Sequence, residues 1–359
     1  MKRILCLIES IGSGGAERQL TGLAVMLKQQ GYKVEVCYYV NREFYLPYLQ
    51  ENGVESCFLA EASNPKTRFF ALRKHIKAFK PDTVISYSAS PSMIVCLMKL
   101  LGAKFRLVVS ERSTTQRLNK REKIKFLLYR WADVIVPNSQ SQAGFIDKHF
   151  PCLTPKVKTI TNFVDTDKFS PSEAPNSMYE ETRMVCVGRL MLPKNLNSFV
   201  EAISKVVSDG FNIHVDWFGQ DLQDEYSRQV NDTVKKKGLE EVLIFHQPTS
   251  TIEEEYRKAN VFCLPSLYEG FPNVLCEAMS CGLPVLCSRV CDNPSIVKEQ
   301  ENGLLFDPHD VGNMASTIED YISRSPEEKT QMGKRSRIIA LEKFSANAFL
   351  QKYINVING

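Results

Sequence analysis

Leu264-Pro265-Ser266-Leu267-Tyr268-Glu269-Gly270-Phe271-Pro272-Asn273-Val274-Leu275-Cys276-Glu277-Ala278-Met279 starts as the end of an apolar strand, turns through Pro and Gly, and resumes as a helix. Asn273 suits a helix N-cap, because its short side chain can accept from backbone N–H groups that the first turn leaves unpaired. Such a helix start offers N–H groups and the positive end of the helix dipole to an anion or to the polar edge of a sugar. Glu269 precedes the helix and Glu277 lies about one turn inside it. The two acids read either as solvated groups on a capped helix or as groups reaching different ends of one ligand.

The same strand–turn–helix pattern repeats in both directions. Around this stretch, strands are expected near 184–188, 213–218, 242–245, 261–264 and 284–287, and the last segment, 326–357, reads as helical. Upstream, strands are expected near 3–8, 33–40, 83–87, 105–110, 133–137 and 157–160, with helical stretches such as 16–30 and 91–101 between them. Short apolar runs separated by helices indicate parallel sheets covered on both faces. The alternation breaks at Asn162-Phe163-Val164-Asp165 and on through Pro171-Ser172-Glu173-Ala174-Pro175-Asn176-Ser177, which reads as a linker. The fold class is therefore α/β, with two doubly wound domains in tandem. The expected divisions are 1–165, 166–340 and a closing helix, 341–359. Ligands are expected at strand C-terminal ends, facing a cleft.

Composition agrees with a globular chain: 359 residues, 43% hydrophobic and 24% charged. The apolar run Ile4-Leu5-Cys6-Leu7-Ile8 stops at Glu9, too short for a signal core, and no stretch approaches the roughly 18 apolar residues of a membrane span. The eleven cysteines are odd in number and sit mostly in apolar runs. They show no CxxC spacing and no accompanying His cluster, so buried reduced thiols in a cytosolic protein are expected. The net charge of +4 conceals an asymmetry, because residues 1–160 carry +13 and the remainder −9. A basic half of this kind suits an anionic surface.

Two further loops carry chemistry. Val187-Gly188-Arg189-Leu190-Met191-Leu192-Pro193-Lys194-Asn195 lies between a strand and a helix. Its Arg and Lys read as solvated charges or as a pair converging on a diphosphate, Arg as a fork and Lys as a point charge. Ile11-Gly12-Ser13-Gly14-Gly15-Ala16-Glu17-Arg18 also joins a strand to a helix. It is a tight turn or a place of close approach to a ligand, and it is not a GxGxxG fingerprint.

Glu269, seven residues, Glu277 and then Ala278-Met279-Ser280-Cys281-Gly282-Leu283-Pro284-Val285 resembles the EX7E signature of glycosyltransferase family four. The Gly188-Arg189 to Lys194-Asn195 loop, the Gly14-Gly15-Ala16-Glu17 run, Val136-Pro137-Asn138-Ser139, Asn162-Phe163-Val164-Asp165 and Glu301-Asn302-Gly303-Leu304-Leu305-Phe306 extend the resemblance over most of the chain. The resemblance implies a GT-B fold of two Rossmann-like domains, with the C-terminal helix returning toward the first domain, and a retaining hexosyltransferase. Its donor is a nucleotide-diphosphate sugar, expected to be a UDP-sugar, and its acceptor a lipid-linked glycan of surface polysaccharide synthesis. It assigns donor contact to Gly14, Gly15, Arg189, Lys194, Glu269, Gly270, Phe271, Pro272, Asn273 and Glu277. Within that set Glu269, Arg189 and Lys194 are catalytic, and Glu277 holds the ribose.

No cofactor and no metal are expected. Asp165-Thr166-Asp167 is a DxD triplet, but it falls in the linker pattern, and Arg189, Lys194 and helix N-termini are expected to neutralise the leaving diphosphate. Many members of the family carry a His after a strand of the first domain. Here Ser110-Glu111-Arg112 stands in that region, as in some members acting on lipid-linked sugars. Glu111 and Arg112 are the acceptor candidates, with a structural ion pair as the alternative. Arg117, Lys120, Arg121, Lys123, Lys125 and Arg130, interleaved with Ile124, Phe126, Leu127, Leu128, Tyr129 and Trp131, read as a basic amphipathic helix. A second basic patch gathers Lys66, Arg68, Arg73, Lys74, Lys77 and Lys80. Both suit peripheral attachment to an anionic membrane at the inner face of the plasma membrane, and not nucleic acid. A nucleotide-sugar epimerase of the same architecture and a non-catalytic nucleotide-sugar-binding subunit remain the other readings.

Overall fold

The computed structural model describes residues 1–60, 64–115, 117–172 and 181–359. The end of the expected linker, Glu173 to Ser177, lies outside them. The chain forms two compact units, Met1–Asn162 with Asn347–Gly359, and Phe163–Ala346.

The first unit alternates β1 (Arg3–Leu7), α1 (Gly15–Gln29), β2 (Lys33–Tyr38), α2 (Leu46–Glu51), β3 (Glu55–Phe58), α3 (Pro65–Phe79), β4 (Thr83–Tyr87), α4 (Ala89–Leu100), β5 (Arg106–Glu111), α5 (Lys120–Leu128), β6 (Val134–Pro137) and α6 (Gln140–His149). Its six strands pair in the order β3-β2-β1-β4-β5-β6, all parallel. Leu5, Leu7, Val84, Leu107 and Val109 form one core with the inner faces of α3, α4 and α5. A parallel sheet buried on both faces requires continuous apolar runs, and Ile4 through Leu7 are all fully buried.

The second unit runs β7 (Thr182–Val187), α7 (Leu196–Ser208), β8 (Ile213–Phe218), α8 (Glu225–Lys236), β9 (Leu243–His246), α9 (Ile252–Lys258), β10 (Val261–Leu264), α10 (Asn273–Ser280), β11 (Val285–Ser288), α11 (Asn293–Ile296), β12 (Gly303–Phe306), α12 (Val311–Ser323) and α13 (Pro326–Phe344). Its parallel order is β12-β11-β10-β7-β8-β9. Successive residues of β7 face opposite cores. Met184 and Cys186 pack with α7, α8 and α12, and Val185 packs with α9, α10 and α13. The final helix, α14 (Ala346–Asn358), belongs to the first unit from Asn347 onward.

Four expectations need correcting. Residues 157–160 form a single bridge, Ile135 to Val157, and not a strand. Lys158 N–H donates to the Ile135 carbonyl and Ile160 N–H to the Pro137 carbonyl, but Pro137 has no N–H to complete the next bridge. β3 and β12 are strands that the pattern missed, both four residues long and both at sheet edges. The 326–357 segment is helical as expected, but the closing helix set at 341–359 is cut at Ser345 into the end of α13 and a separate α14. Asn273 is the first residue of α10, and the N-cap position falls to Pro272 with no side-chain cap. Among the described residues no helix is long and apolar enough to cross a membrane.

Candidate active site

In the second unit the chain passes from β7 outward through β8 and β9, then returns to place β10 on the other side of β7. Strand order reverses there, and the loops leaving the C-terminal ends of two neighbouring strands diverge and open a crevice. Those loops are Gly188–Asn195 and Pro265–Pro272, the two singled out in the sequence.

The first loop is held tightly. The Gly188 carbonyl accepts from Trp217 Nε1 at 2.7 Å, and Gly188 N–H donates to the Phe218 carbonyl at 2.9 Å. A Cβ on Gly219 would lie 1.9 Å from the Gly188 oxygen, so the two backbones approach only because Gly219 has no side chain. The short turn Leu192–Lys194 follows, and Asn195 ends it in the left-handed region at φ 58°. Buried Asn195 donates through Nδ2 to the carbonyls of Pro308, at 2.8 Å, and Pro265, at 3.2 Å. Leu267 N–H donates to the Pro193 carbonyl at 2.8 Å, so the two loops are joined through backbone and side chain alike.

Lys194 Nζ lies 2.6 Å from Glu269 Oε1, with both side chains largely shielded from solvent. Ser266 Oγ donates to the same carboxylate oxygen at 2.6 Å, and Glu269 N–H donates to Cys291 Sγ at 3.4 Å. Arg189 is exposed, and no hydrogen bond or ion pair occupies its guanidinium among the described residues. Glu277 is the fifth residue of α10 and only 6% exposed. Phe271 turns its ring into the core against Phe344, centroids 5.9 Å apart, so a ligand would meet its backbone and not its ring. Gly270 is half-buried in the loop, and Pro272 and Asn273 open α10. This arrangement offers a free cation in the first loop, a cation held by an acid across the two loops, and a buried acid within α10. Ser266 and Cys291 escaped the sequence reading, since each acts by holding Glu269 and neither belongs to a recognisable spacing.

The remaining candidates lie in the first unit. Gly14 is the N-cap residue of α1 and Gly15 its first residue. The Glu17 carboxylate folds back over Gly14, close enough that a Cβ there would lie 2.2 Å from Oε2. Glu111 is 3% exposed and pairs with Lys125 at 2.6 Å while accepting from the Tyr129 hydroxyl. Arg112 donates to Asn162 Oδ1 at 2.8 Å and to the hydroxyls of Tyr353, at 2.5 Å, and Tyr87. Lys125, counted above with the outer cations, is buried between Glu111 and Glu122. Asp165 caps its own turn, accepting from Asp167 N–H at 3.2 Å and Lys168 N–H at 3.1 Å.

Two family descriptions match the chain back to back: "Glycosyltransferase Family 4" over residues 13–168 and "Glycosyl transferases group 1" over 169–338. The chain belongs to glycosyltransferase family 4. Among its relatives, an N-acetylgalactosamine-N,N'-diacetylbacillosaminyl-diphospho-undecaprenol 4-alpha-N-acetylgalactosaminyltransferase of Campylobacter jejuni is 25% identical, over 99% of this chain and 100% of that protein. A GalNAc-alpha-(1->4)-GalNAc-alpha-(1->3)-diNAcBac-PP-undecaprenol alpha-1,4-N-acetyl-D-galactosaminyltransferase of the same organism is 28% identical, over 89% and 88%. HepE from Anabaena, solved in complex with UDP, superposes with a TM-score of 0.86 at 18% identity and covers 100% of both chains. The two parallel sheets of this family 4 glycosyltransferase are thus those of the GT-B fold.

In this glycosyltransferase the Gly188–Gly219 contact predicts a specific weakness. Gly219→Ala is expected to cost about 2–3 kcal/mol, since the new methyl must displace backbone and not a flexible side chain. Urea unfolding measures it, and a midpoint unchanged from the parent would show that the loop yields freely.

Proposed function

We propose that this glycosyltransferase is a retaining hexosyltransferase that moves a sugar from a UDP-sugar onto a lipid-linked glycan during surface polysaccharide synthesis. The joined loops beside β7 and β10, carrying the Lys194–Glu269 contact, support this reading most. The names of the relatives support the acceptor class, and the UDP complex of HepE supports the base. In this reading Glu277 accepts from the ribose hydroxyls. Arg189 and Lys194 hold the diphosphate, and Glu269 grips the sugar. The backbone of Gly270, Phe271, Pro272 and Asn273 lines the sugar and phosphate, and Gly14 and Gly15 are assigned to donor contact as well. Arg112 is the acceptor-side residue, and Glu111 holds the end of β5 that carries it.

The acceptor hydroxyl attacks the anomeric carbon on the face from which the diphosphate leaves. The bond from that carbon to the phosphate oxygen breaks as the new glycosidic bond forms, and the hydroxyl proton passes to the leaving phosphate. Fixed cations aimed at the developing phosphate charge supply most of the rate, with no metal required. Calorimetric titration with UDP- and GDP-sugars tests the donor assignment. Glu277→Ala is expected to weaken UDP-sugar binding about 10- to 100-fold, the worth of hydrogen bonds to a charged group. Equal binding by parent and variant would remove Glu277 from the site. A product whose anomeric configuration, read by NMR, is opposite to the donor's would overturn the retaining assignment.

The enzyme is further proposed to sit peripherally on the inner face of the plasma membrane. Ile124, Leu127 and Trp131 of the α5 segment are exposed by 46% or more, beside exposed Lys120, Arg121, Lys123 and Arg130. A hollow of about 440 Å³ between α3 and α4 has an apolar floor and a rim of Arg73, Lys77, Lys80 and Lys104. Each surface cation contributes about 1 kcal/mol toward an anionic bilayer. Co-sedimentation with phosphatidylglycerol vesicles is expected and should fall on Leu127→Asp. Equal pelleting with neutral vesicles would count against this attachment.

A further inference from the structure

We propose that Cys37, Cys57 and His75 form a Zn²⁺ site at the edge of the first unit's sheet, built from none of the residues assigned to donor or acceptor. Cys37 and Cys57 are register partners on β2 and β3, so their side chains leave the same face. Glu35, two residues before Cys37, shares that face. α3 crosses it and brings His75 down onto the pair, with the imidazole stacked on Phe79 one turn later at an interplanar angle of 11°. The two sulfurs and the imidazole nitrogen lie within 4.8 Å of one another, and no other trio of His, Cys, Asp or Glu among the described residues does so.

The distances suit the ion. With Zn–S of about 2.3 Å and Zn–N of about 2.05 Å, a tetrahedral ion holds a sulfur and a nitrogen ligand about 3.5 Å apart. Cys57 Sγ and His75 Nδ1 are 3.6 Å apart. On the far side of the ring His75 Nε2 lies 2.8 Å from Glu35, a carboxylate only 7% exposed. A carboxylate beside the remote ring nitrogen supports a ligating imidazole, and Glu35 stands there as an ion-pair partner. Cys37 is buried, and Cys57 and His75 are half-buried. Two thiolates and one imidazole are a borderline-soft set that selects zinc over magnesium or calcium.

The site would clip a weak edge. β3 has four residues and pairs only with β2, and both β3 and α3 would gain a bond that neither packing nor pairing supplies. Ile8 N–H donates to the Cys37 carbonyl at 3.1 Å, so the clip also abuts the end of β1, where the glycine loop begins.

Cobalt replaces zinc with a visible signature and tests the site directly. Reduced, metal-free protein titrated with Co²⁺ under nitrogen is expected to take one equivalent, with a thiolate-to-cobalt charge-transfer band and the intense d–d bands of tetrahedral geometry, both erased by Zn²⁺. Cys57→Ser is expected to abolish the charge-transfer band at that site. Cys152→Ser, at an exposed cysteine elsewhere, is expected to leave it unchanged. Glu35→Gln keeps all three ligands and is expected to weaken Zn²⁺ about 10- to 100-fold, so the site stays testable even where Cys57→Ser fails to fold. No thiolate band in the folded parent, or one that survives Cys57→Ser, overturns the proposal. So does a Cys37–Cys57 disulfide in protein that binds no cobalt after reduction. None of these readings involves sugar transfer, so their failure leaves the donor assignment standing.

Discussion

Lys194→Ala is expected to lower kcat/KM for sugar transfer about 100- to 1,000-fold, the usual effect of removing one preorganised group from a developing charge. Lys194 has two tasks in this site. It stands in the loop after β7, where the diphosphate is assigned, and it holds Glu269 at 2.6 Å. Charge accumulates on the diphosphate as the bond to the sugar breaks, so the ammonium interacts more strongly with the transition state than with bound donor. The loss should therefore fall on kcat more than on donor KM. Stability should change little, because Ser266 still donates to Glu269 and the loop remains joined through Leu267 and Asn195. Initial rates of UDP release with and without acceptor, alongside thermal unfolding, provide the measurement. A decline smaller than threefold in a folded variant would mean that Lys194 only positions Glu269. A rise in donor KM with kcat intact would mean uniform binding and no part in departure of the leaving group.

The way these residues meet explains what could be read from the chain. Alternation was legible because both sheets are buried on two faces, which forces apolar runs such as Ile4 to Leu7 and Met184 to Val187 between helices. Edge strands escape this rule. Glu55–Phe58 is half-exposed and polar, and Gly303–Phe306 is so short that its turn dominates the pattern. Pro137 removes one donor, and that single missing N–H is enough to prevent a strand at 157–160. The EX7E spacing identified Glu269 and Glu277 because both lie in one loop–helix unit. The pairing of Lys194 with Glu269 spans 75 positions and depends on β10 returning to lie beside β7, a matter of strand order that spacing does not encode. The Cys37, Cys57 and His75 cluster is hidden for the same reason, since three elements contribute one residue each. Lys125 shows the opposite failure. Its charge suggested the outer face, yet helical spacing places it with Glu122 and Tyr129 on the buried side.

Lys125→Met is expected to cost about 3–5 kcal/mol of folding stability, because it strands the Glu111 carboxylate in the interior with Tyr129 as its remaining neutral partner. Glu111 and Lys125 are 3% and 4% exposed in their side chains, so water cannot replace the lost ammonium without local opening. The double variant Glu111→Leu with Lys125→Met removes both charges, and it should recover most of the loss, since an apolar pair of similar volume often matches a buried ion pair. Urea unfolding of the two single variants and the double gives the coupling energy. The folded double variant then separates two roles for Glu111. If the carboxylate only secures the end of β5 beneath Arg112, acceptor KM should stay within about threefold of the parent, a change of less than 1 kcal/mol. If Glu111 itself receives the acceptor hydroxyl, as its place in Ser110-Glu111-Arg112 first suggested, acceptor KM rises by more than tenfold while donor affinity is unchanged. Its burial and its two bonds favour the first outcome, which would leave Arg112, half-exposed and fixed by Asn162 and Tyr353, as the acceptor-side residue.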